Sequence, residues 1–186
     1  MSRALLLIDI QKTFRDGSWG PRNNENAESN ASKLLAYFRQ TGELIIHINH
    51  RSENKESRFY FEKEGFQFQD LVAPKGKEIV ISKSVNSAFI GTNLKELLDA
   101  NNINKLVIAG ISTPHCVSTT TRMAGNYGYE VYLVEDGTTS FALTDHKGHT
   151  FSAQEIQEIT IATLYDEFAK IVSTEDIVSG KLLIER

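Results

Sequence analysis

Near the start of the chain, Ala4-Leu5-Leu6-Leu7-Ile8 is apolar at every position and stops at Asp9. Side chains alternate across a strand, so a run apolar on both faces needs cover on both. It reads as a central strand of a parallel sheet rather than a half-wet antiparallel one. The run is too short for a signal-peptide core and lacks a small-residue cleavage site. It is far too short to span a bilayer. A cytoplasmic protein with no membrane partner is expected.

The remaining chain alternates strand and helix signals. Ala27, Ala31, Leu34, Leu35 and Phe38 recur at helical spacing, with Asn23 and Asn24 as candidate N-caps and Gly42 just past the end. Residues 43–49 and 78–82 read as the second and third strands. Leu94, Leu97 and Leu98 mark the next helix. Residues 105–109 form a fourth strand, and a helix is expected from near Pro114 to about Tyr127. Residues 130–134 are a fifth strand. Ser152 and Glu155 make a capping box for the last long helix, whose apolar face carries Ile156, Ile161, Leu164 and Phe168. Residues 170–172 close a sixth strand. This alternation predicts an α/β fold: a mostly parallel six-stranded sheet with helices on both faces, a three-layer sandwich. The 186 residues contain no linker-like stretch, so a single domain over residues 1–186 is expected.

Ligands of such sheets lie beyond the carboxyl ends of the strands. Asp9 ends the first strand, Lys83 follows the third, and Cys116 lies in the segment Gly110-Ile111-Ser112-Thr113-Pro114-His115-Cys116 after the fourth. Pro114 suits a first helical position, with Thr113 as N-cap and Cys116 in the first turn. A thiol there is expected to have its pKa lowered, and the free amides could hold an oxyanion. Cys116 can also be read as a small buried hydrophobe. Asp9 could merely pair with a neighbour, and Lys83 could be a solvated lysine that matters only if it meets Asp9 or the thiol.

Other chemistries are excluded or weaker. Net charge is −4 with no basic block, so no nucleic-acid partner is expected. A lone cysteine excludes an internal disulfide framework. Residues 9–24 hold neither a G-x-G-x-x-G pattern nor phosphate-loop spacing, which disfavours a nucleotide cofactor. His47 and His50 are placed beside the end of the second strand, and His146 and His149 in a later loop. Scattered histidines of this kind are more often hydrogen-bonded than metal-bound, so no metal is assigned.

Three stretches together resemble the isochorismatase-like cysteine hydrolases. They are Ala4-Leu5-Leu6-Leu7-Ile8-Asp9-Ile10-Gln11 with Phe14, Lys83-Ser84 with Asn86-Ser87-Ala88-Phe89, and Ala109-Gly110-Ile111-Ser112-Thr113 through Cys116-Val117 and Thr119-Thr120-Thr121-Arg122. The resemblance runs over nearly the whole chain. It implies an isochorismatase-like, Rossmann-like sheet and a catalytic triad of Asp9, Lys83 and Cys116. It also implies a cis peptide before Ser112, with the Ser112 and Cys116 amides as the oxyanion hole. The implied reaction is hydrolysis of a small amide, lactam or carbamoyl compound through a Cys thioester, without a cofactor. A non-enzymatic binding protein on the same fold, or vinyl-ether hydrolysis, are the alternatives. The family's metal-binding nicotinamidases carry an Asp-x-His pattern, which is missing from His47-Ile48-Asn49-His50-Arg51-Ser52. The turn Trp19-Gly20-Pro21-Arg22-Asn23 looks closer to the streptothricin-hydrolase-like branch.

Phe14, Trp19, His115, Phe59 and Phe61 are candidate substrate contacts. The long segment 51–77 also carries Tyr60, Phe66 and Phe68. It is expected to wall the site and, through aromatics that a monomer would leave wet, to help form a dimer or tetramer.

Overall fold

The structure, a computed structural model, describes residues 2–180; residue 1 and residues 181–186 of the expected domain lie outside it. Strand β1 spans Ser2–Ile8, followed by α1 (Ala27–Thr41), β2 (Leu44–His50) and β3 (Ile79–Lys83). Then come α2 (Leu94–Ala100), β4 (Ile103–Ile111), α3 (Ser118–Asn126) and β5 (Glu130–Thr139). The chain continues through a short hairpin, β6 (Leu143–Thr144) and β7 (Thr150–Phe151), then α4 (Ala153–Ala162), β8 (Lys170–Val172) and α5 (Thr174–Val178). The main sheet has six strands in the order β3-β2-β1-β4-β5-β8. Every neighbouring pair in it is parallel. Among the described residues, no helix is long and apolar enough to cross a membrane.

The β1 run is buried on both faces as expected. Leu5 and Leu7 pack with Ala31, Leu34, Leu35 and Phe38 of α1, and with Ile177 of α5. Ala4, Leu6 and Ile8 point the other way, onto Leu94 and Leu98 of α2, Ala124 of α3 and Ile161 of α4. Period-2 alternation on a central strand thus builds two cores with one run of residues. Burying one such Leu stabilises the fold by about 1.5–3 kcal/mol, so this short strand carries much of the core energy.

Several boundaries differ from the sequence reading. Helix α1 begins at Ala27 with Asn26 before it, not at Asn23 or Asn24. Those two asparagines tie down β5 instead. Asn24 Nδ2 donates to the carbonyls of Asp136 and Thr138, and Asn23 Oδ1 accepts from the Ser140 amide. Asparagine serves either task equally well, and spacing alone does not separate them. The helix expected from Pro114 is two pieces: a π-type turn over Thr113–Val117, preceded by Ser112 rather than capped by Thr113, and then α3. Strand β5 runs on to Thr139, past a register shift in its pairing with β4 between Ile108 and Gly110. The capping box of α4 is present as read, and Ser173 with Asp176 forms an unforeseen second one on α5.

Segment 51–77 is not a wet aromatic loop. Tyr60 is buried, and Phe59, Phe61, Phe66 and Phe68 are partly buried within this one chain. Gln11, fully buried, anchors the segment by donating from Nε2 to the Phe66 carbonyl at 2.8 Å. Gln69 Nε2 returns a bond to the Gln11 carbonyl at 3.2 Å. The aromatics are therefore used in part as anchors within this chain.

Two positions give tests of this packing. Gly110 adopts φ +153° beside β1, and a Cβ there would sit 2.8 Å from Ile8 Cβ and closer still to the Ile8 carbonyl oxygen. Gly110→Ala should lower stability by about 3 kcal/mol or more in urea unfolding. Glu78 is held down to about 2, chiefly by Arg39 at 2.6 Å, with His47 Nε2 at 2.8 Å. Its stabilisation is fully present above the unfolded carboxyl value of about 4.3 and is lost as pH falls through the folded value. Glu78→Gln should therefore lower the melting temperature clearly at pH 7 and by much less near pH 2.

Candidate active site

The carboxyl ends of β1, β3 and β4 lie on one edge of the sheet, and there the structure brings Asp9, Lys83 and Cys116 together. Asp9 follows β1 directly. Its amide donates to the Ile48 carbonyl at 2.8 Å, and its φ is +52°. Aspartate is among the few side chains that tolerate this left-handed conformation. Lys83, the last residue of β3, reaches across β2 to Asp9, with Nζ 2.6 Å from Oδ2. Asp9 is 1% and Lys83 2% exposed, so the pair is effectively dry. The second carboxylate oxygen, Oδ1, is buried with no hydrogen-bond partner.

Cys116 occupies the π-type turn and is partly buried against the α2–α3 side of the core. An Asp9 carboxylate oxygen, a His50 ring nitrogen and Cys116 Sγ all lie within 4.8 Å of one another. The Ile111–Ser112 peptide is cis, as the resemblance implies. The His115 and Val117 amides both point to the Ser112 carbonyl, at 3.2 and 3.4 Å.

The electrostatics correct one expectation. The Cys116 thiol is not lowered but pushed up to about 12, first by burial and then by the negative charge of Asp9, with Lys83 opposing less strongly. Burial likewise raises Asp9 despite Lys83. A helix end is worth about 0.3–1 kcal/mol and decays within a turn, too little to offset lost hydration plus a like charge. At rest Cys116 is a protonated thiol beside the Asp9–Lys83 pair.

The other candidates divide. Phe59 lies against the site, its ring centroid 4.9 Å from that of His50. It continues into a cluster with Phe14 at 5.6 Å and Trp19 at 6.1 Å, backed by Phe141. Phe14 is buried and Trp19 donates to the Thr13 carbonyl, so both shape the wall behind Phe59. Phe61 instead stacks with Tyr60 and under Arg51. His115 is exposed, its Nδ1 3.0 Å from Ser112 Oγ.

His47 does not flank the strand end; it is fully buried within β2 on the α1 face, bonded to Glu78. Three residues along a strand reverse the face, so His47 and His50 cannot share an ion. Exposed His146 and His149 sit on the β6–β7 hairpin, where Asp145 Oδ1 accepts from the Lys147 and His149 amides. The sequence reading placed His50 beside the strand end, where it lies, but gave it no part beside Lys83. Its Nδ1 is 3.2 Å from Lys83 Nζ, and only the β2–β3 register, which pairs His50 with Lys83, reveals this. Asp9, His50 and Cys116 are metal-ligating types, but the Lys83 ammonium already occupies the space between two of them and opposes a second cation there. Beside them opens a cleft of about 430 Å³, lined in part by His50, Arg51, Ser52, Lys83 and Ser84. A larger groove of about 720 Å³ lies at the opposite end of the strands, among Arg3, Glu43 and Lys75, away from Asp9, Lys83 and Cys116.

The sequence profile of the isochorismatase domain matches residues 3–176. The chain belongs to the isochorismatase family. It is 46% identical over 177 residues to the Bacillus subtilis isochorismatase family protein YrdC, covering 95% of each chain. A family member from Chromobacterium violaceum, solved by crystallography, superposes with a TM-score of 0.95 at 42% identity, covering 98% of this chain and 95% of that one. The maleamate amidohydrolase of Pseudomonas putida is 30% identical over 150 residues, 72% of this chain and 70% of that protein. The chain is thus a hydrolase of this family, built on its six-stranded parallel sheet.

The protonation pattern has a direct consequence. Asp9→Asn keeps a side chain that tolerates the local backbone but removes the charge that holds the thiol proton. Iodoacetamide should alkylate wild-type Cys116 at pH 8 more slowly than a free thiol of pKa about 8.5. The Asp9→Asn enzyme should be alkylated about tenfold faster than wild type, read by intact-protein mass spectrometry. Equal rates would show that Asp9 does not govern the thiol.

Proposed function

We propose that this hydrolase cleaves the C–N bond of a small amide, lactam or carbamoyl compound through a Cys116 thioester. The observation that carries this reading is the divided carboxylate of Asp9: Oδ2 is bound to Lys83 at 2.6 Å, buried Oδ1 has no hydrogen-bond partner, and a carboxylate oxygen lies within 4.8 Å of Cys116 Sγ. A carboxylate with one oxygen fixed and the other free is equipped to take and return a proton.

In the proposed sequence, Asp9 Oδ1 accepts the Cys116 proton as Sγ attacks the carbonyl carbon. The carbonyl π electrons move to oxygen, which the Ser112 and Cys116 backbone amides receive. Asp9 then gives the proton to the leaving nitrogen, the C–N bond breaks, and a thioester remains on Sγ. Water, losing a proton to Asp9, attacks the thioester. The carboxylic acid departs and the thiolate recovers its proton. Lys83 holds Asp9 in place and balances its charge throughout. Phe59, in front of Phe14 and Trp19, offers an apolar wall to the acyl group.

Relatives support amide chemistry. Besides maleamate amidohydrolase, the streptothricin hydrolase of Streptomyces noursei is 28% identical over 140 residues, 75% of this chain and 50% of that protein. The first is named for maleamate, an amide, and the second for streptothricin, so both compounds belong in the assay.

A panel of small amides and lactams, maleamate and a streptothricin among them, should include a substrate that releases an amine or ammonia. Rapid quench and mass spectrometry should then find the acyl group on the peptide carrying Cys116. Cys116→Ala should lower turnover by about 10³-fold or more. Undiminished turnover in that variant would refute the thioester route. A panel wholly unreactive while a vinyl ether is cleaved would replace it.

A further inference from the structure

His50 is the site residue that the proposed reaction leaves without a task, and its surroundings are unusually well built. Its amide donates to Gln11 Oε1 at 2.9 Å, and its carbonyl accepts from Gln11 Nε2 at 3.1 Å. Gln11 is fully buried, and the imidazole lies against Phe59. Backbone and ring are therefore both clamped, and the ring has one place to be. Its Nδ1 is 3.2 Å from Lys83 Nζ.

We infer that His50 is a positioning residue for the hydrolysis proposed above, on which this inference rests: its Nδ1 accepts a hydrogen bond from Lys83, holding the ammonium against Asp9 Oδ2 so that Oδ1 stays free for Cys116. The chemistry of the donor decides the tautomer. An ammonium has only hydrogens to give, so Nδ1 is unprotonated and the ring hydrogen sits on Nε2. Lys83 is 2% exposed, and a buried ammonium needs an acceptor for its hydrogens. Asp9 satisfies one and His50 a second. With His50 gone, the unsatisfied ammonium would bond to whichever Asp9 oxygen it could reach, including the one needed as base.

The electrostatics fit this role. Burial, then the Lys83 charge, press the His50 pKa down to about 4. The ring thus stays neutral near pH 7 and can accept. The charged groups around it are Asp9 and Lys83, with Arg51 next in sequence and paired to Glu53 at 2.8 Å. Of these, only Lys83 makes a hydrogen bond to the ring among the described residues.

Two variants separate positioning from packing. His50→Leu removes the acceptor, whereas His50→Asn restores one through its side-chain oxygen. His50→Leu should lower kcat about 10- to 100-fold with KM within about twofold, and His50→Asn should recover most of that loss. A readout free of substrate is Cys116 alkylation at pH 9. Lys83 lowers the thiol pKa, so an ammonium shifted onto the oxygen kept for Cys116 should speed alkylation in His50→Leu, with a return toward wild type in His50→Asn. A third measurement needs no variant: ¹⁵N spectra of the wild-type imidazoles at pH 7 should show His50 unprotonated at Nδ1. A hydrogen on Nδ1 overturns the inference, as does a His50→Leu enzyme with unchanged kcat and alkylation. Equal impairment of folded Leu and Asn variants assigns His50 to packing and overturns it too. If Cys116→Ala leaves turnover intact, the thioester reading falls separately, while alkylation and the ¹⁵N spectra still decide the role of His50.

Discussion

The dry ion pair between Lys83 and Asp9 sets terms for everything around it. Two charges taken out of water repay their desolvation only with close geometry and with their remaining donors and acceptors satisfied. The geometry is supplied by the sheet. Asp9 follows the central strand β1 and Lys83 ends the edge strand β3, with β2 between them. The β2–β3 register puts His50 opposite Lys83, so the lysine meets a second acceptor where it needs one. Removing either partner of such a pair leaves a bare buried charge, at a cost of about 3–5 kcal/mol. The pair thus binds the edge of the sheet to its centre while it prepares the chemistry.

The approach of β4 to β1 is a second constraint. At Gly110 the strands come so close that no side chain fits, and beyond it the pairing of β4 with β5 has shifted register. The chain then passes through the cis Ile111–Ser112 peptide into the turn that holds Cys116. Asp9, across from this point, takes up a left-handed conformation. The cis peptide, the β4–β5 register shift and the left-handed Asp9 gather at the strand ends where the reactive groups meet, above the fully buried β1 run. A two-sided core under a short irregular rim can hold three side chains at the ends of three strands in fixed positions.

How far the sequence could be read follows from which interactions are local. The β1 run, the α1 stripe and the Ser152–Glu155 box depend on neighbours a few residues away, and each was legible. Strand-end placement of Asp9, Lys83 and Cys116 followed from topology alone. Other features depend on partners far along the chain. Asn23 and Asn24 look like caps because they are asparagines before a helix, yet they serve β5, more than a hundred residues on. His50 acquires meaning only from register. The aromatics of 51–77 looked like a surface because nothing in their spacing reveals Gln11 and Gln69 drawing the segment down. The thiol pKa was misjudged for the same reason: the helix start is visible in Pro114, whereas the burial and the Asp9 charge that outweigh it are tertiary.

That raised thiol is compatible with nucleophilic catalysis once charge is counted over the whole site. With Lys83 positive, Asp9 negative, and Cys116 and His50 neutral, the resting site has no net charge. Losing the thiol proton to solvent would leave a net negative charge in a poorly hydrated place, which is what presses the pKa toward 12. Passing the same proton from Cys116 to Asp9 leaves the net charge at zero and only moves the negative end from oxygen to sulfur. Lys83, close to both groups, remains its counterion. Burial therefore penalises external deprotonation far more than internal transfer, and the two protonation states belong to the coupled pair rather than to either residue. A substrate carbonyl in front of Sγ pulls the internal equilibrium forward, because the charge leaves sulfur for an oxygen that backbone amides can receive. The thiol is thus quiet toward stray electrophiles at rest and becomes a nucleophile when a carbonyl is presented beside the free oxygen of Asp9.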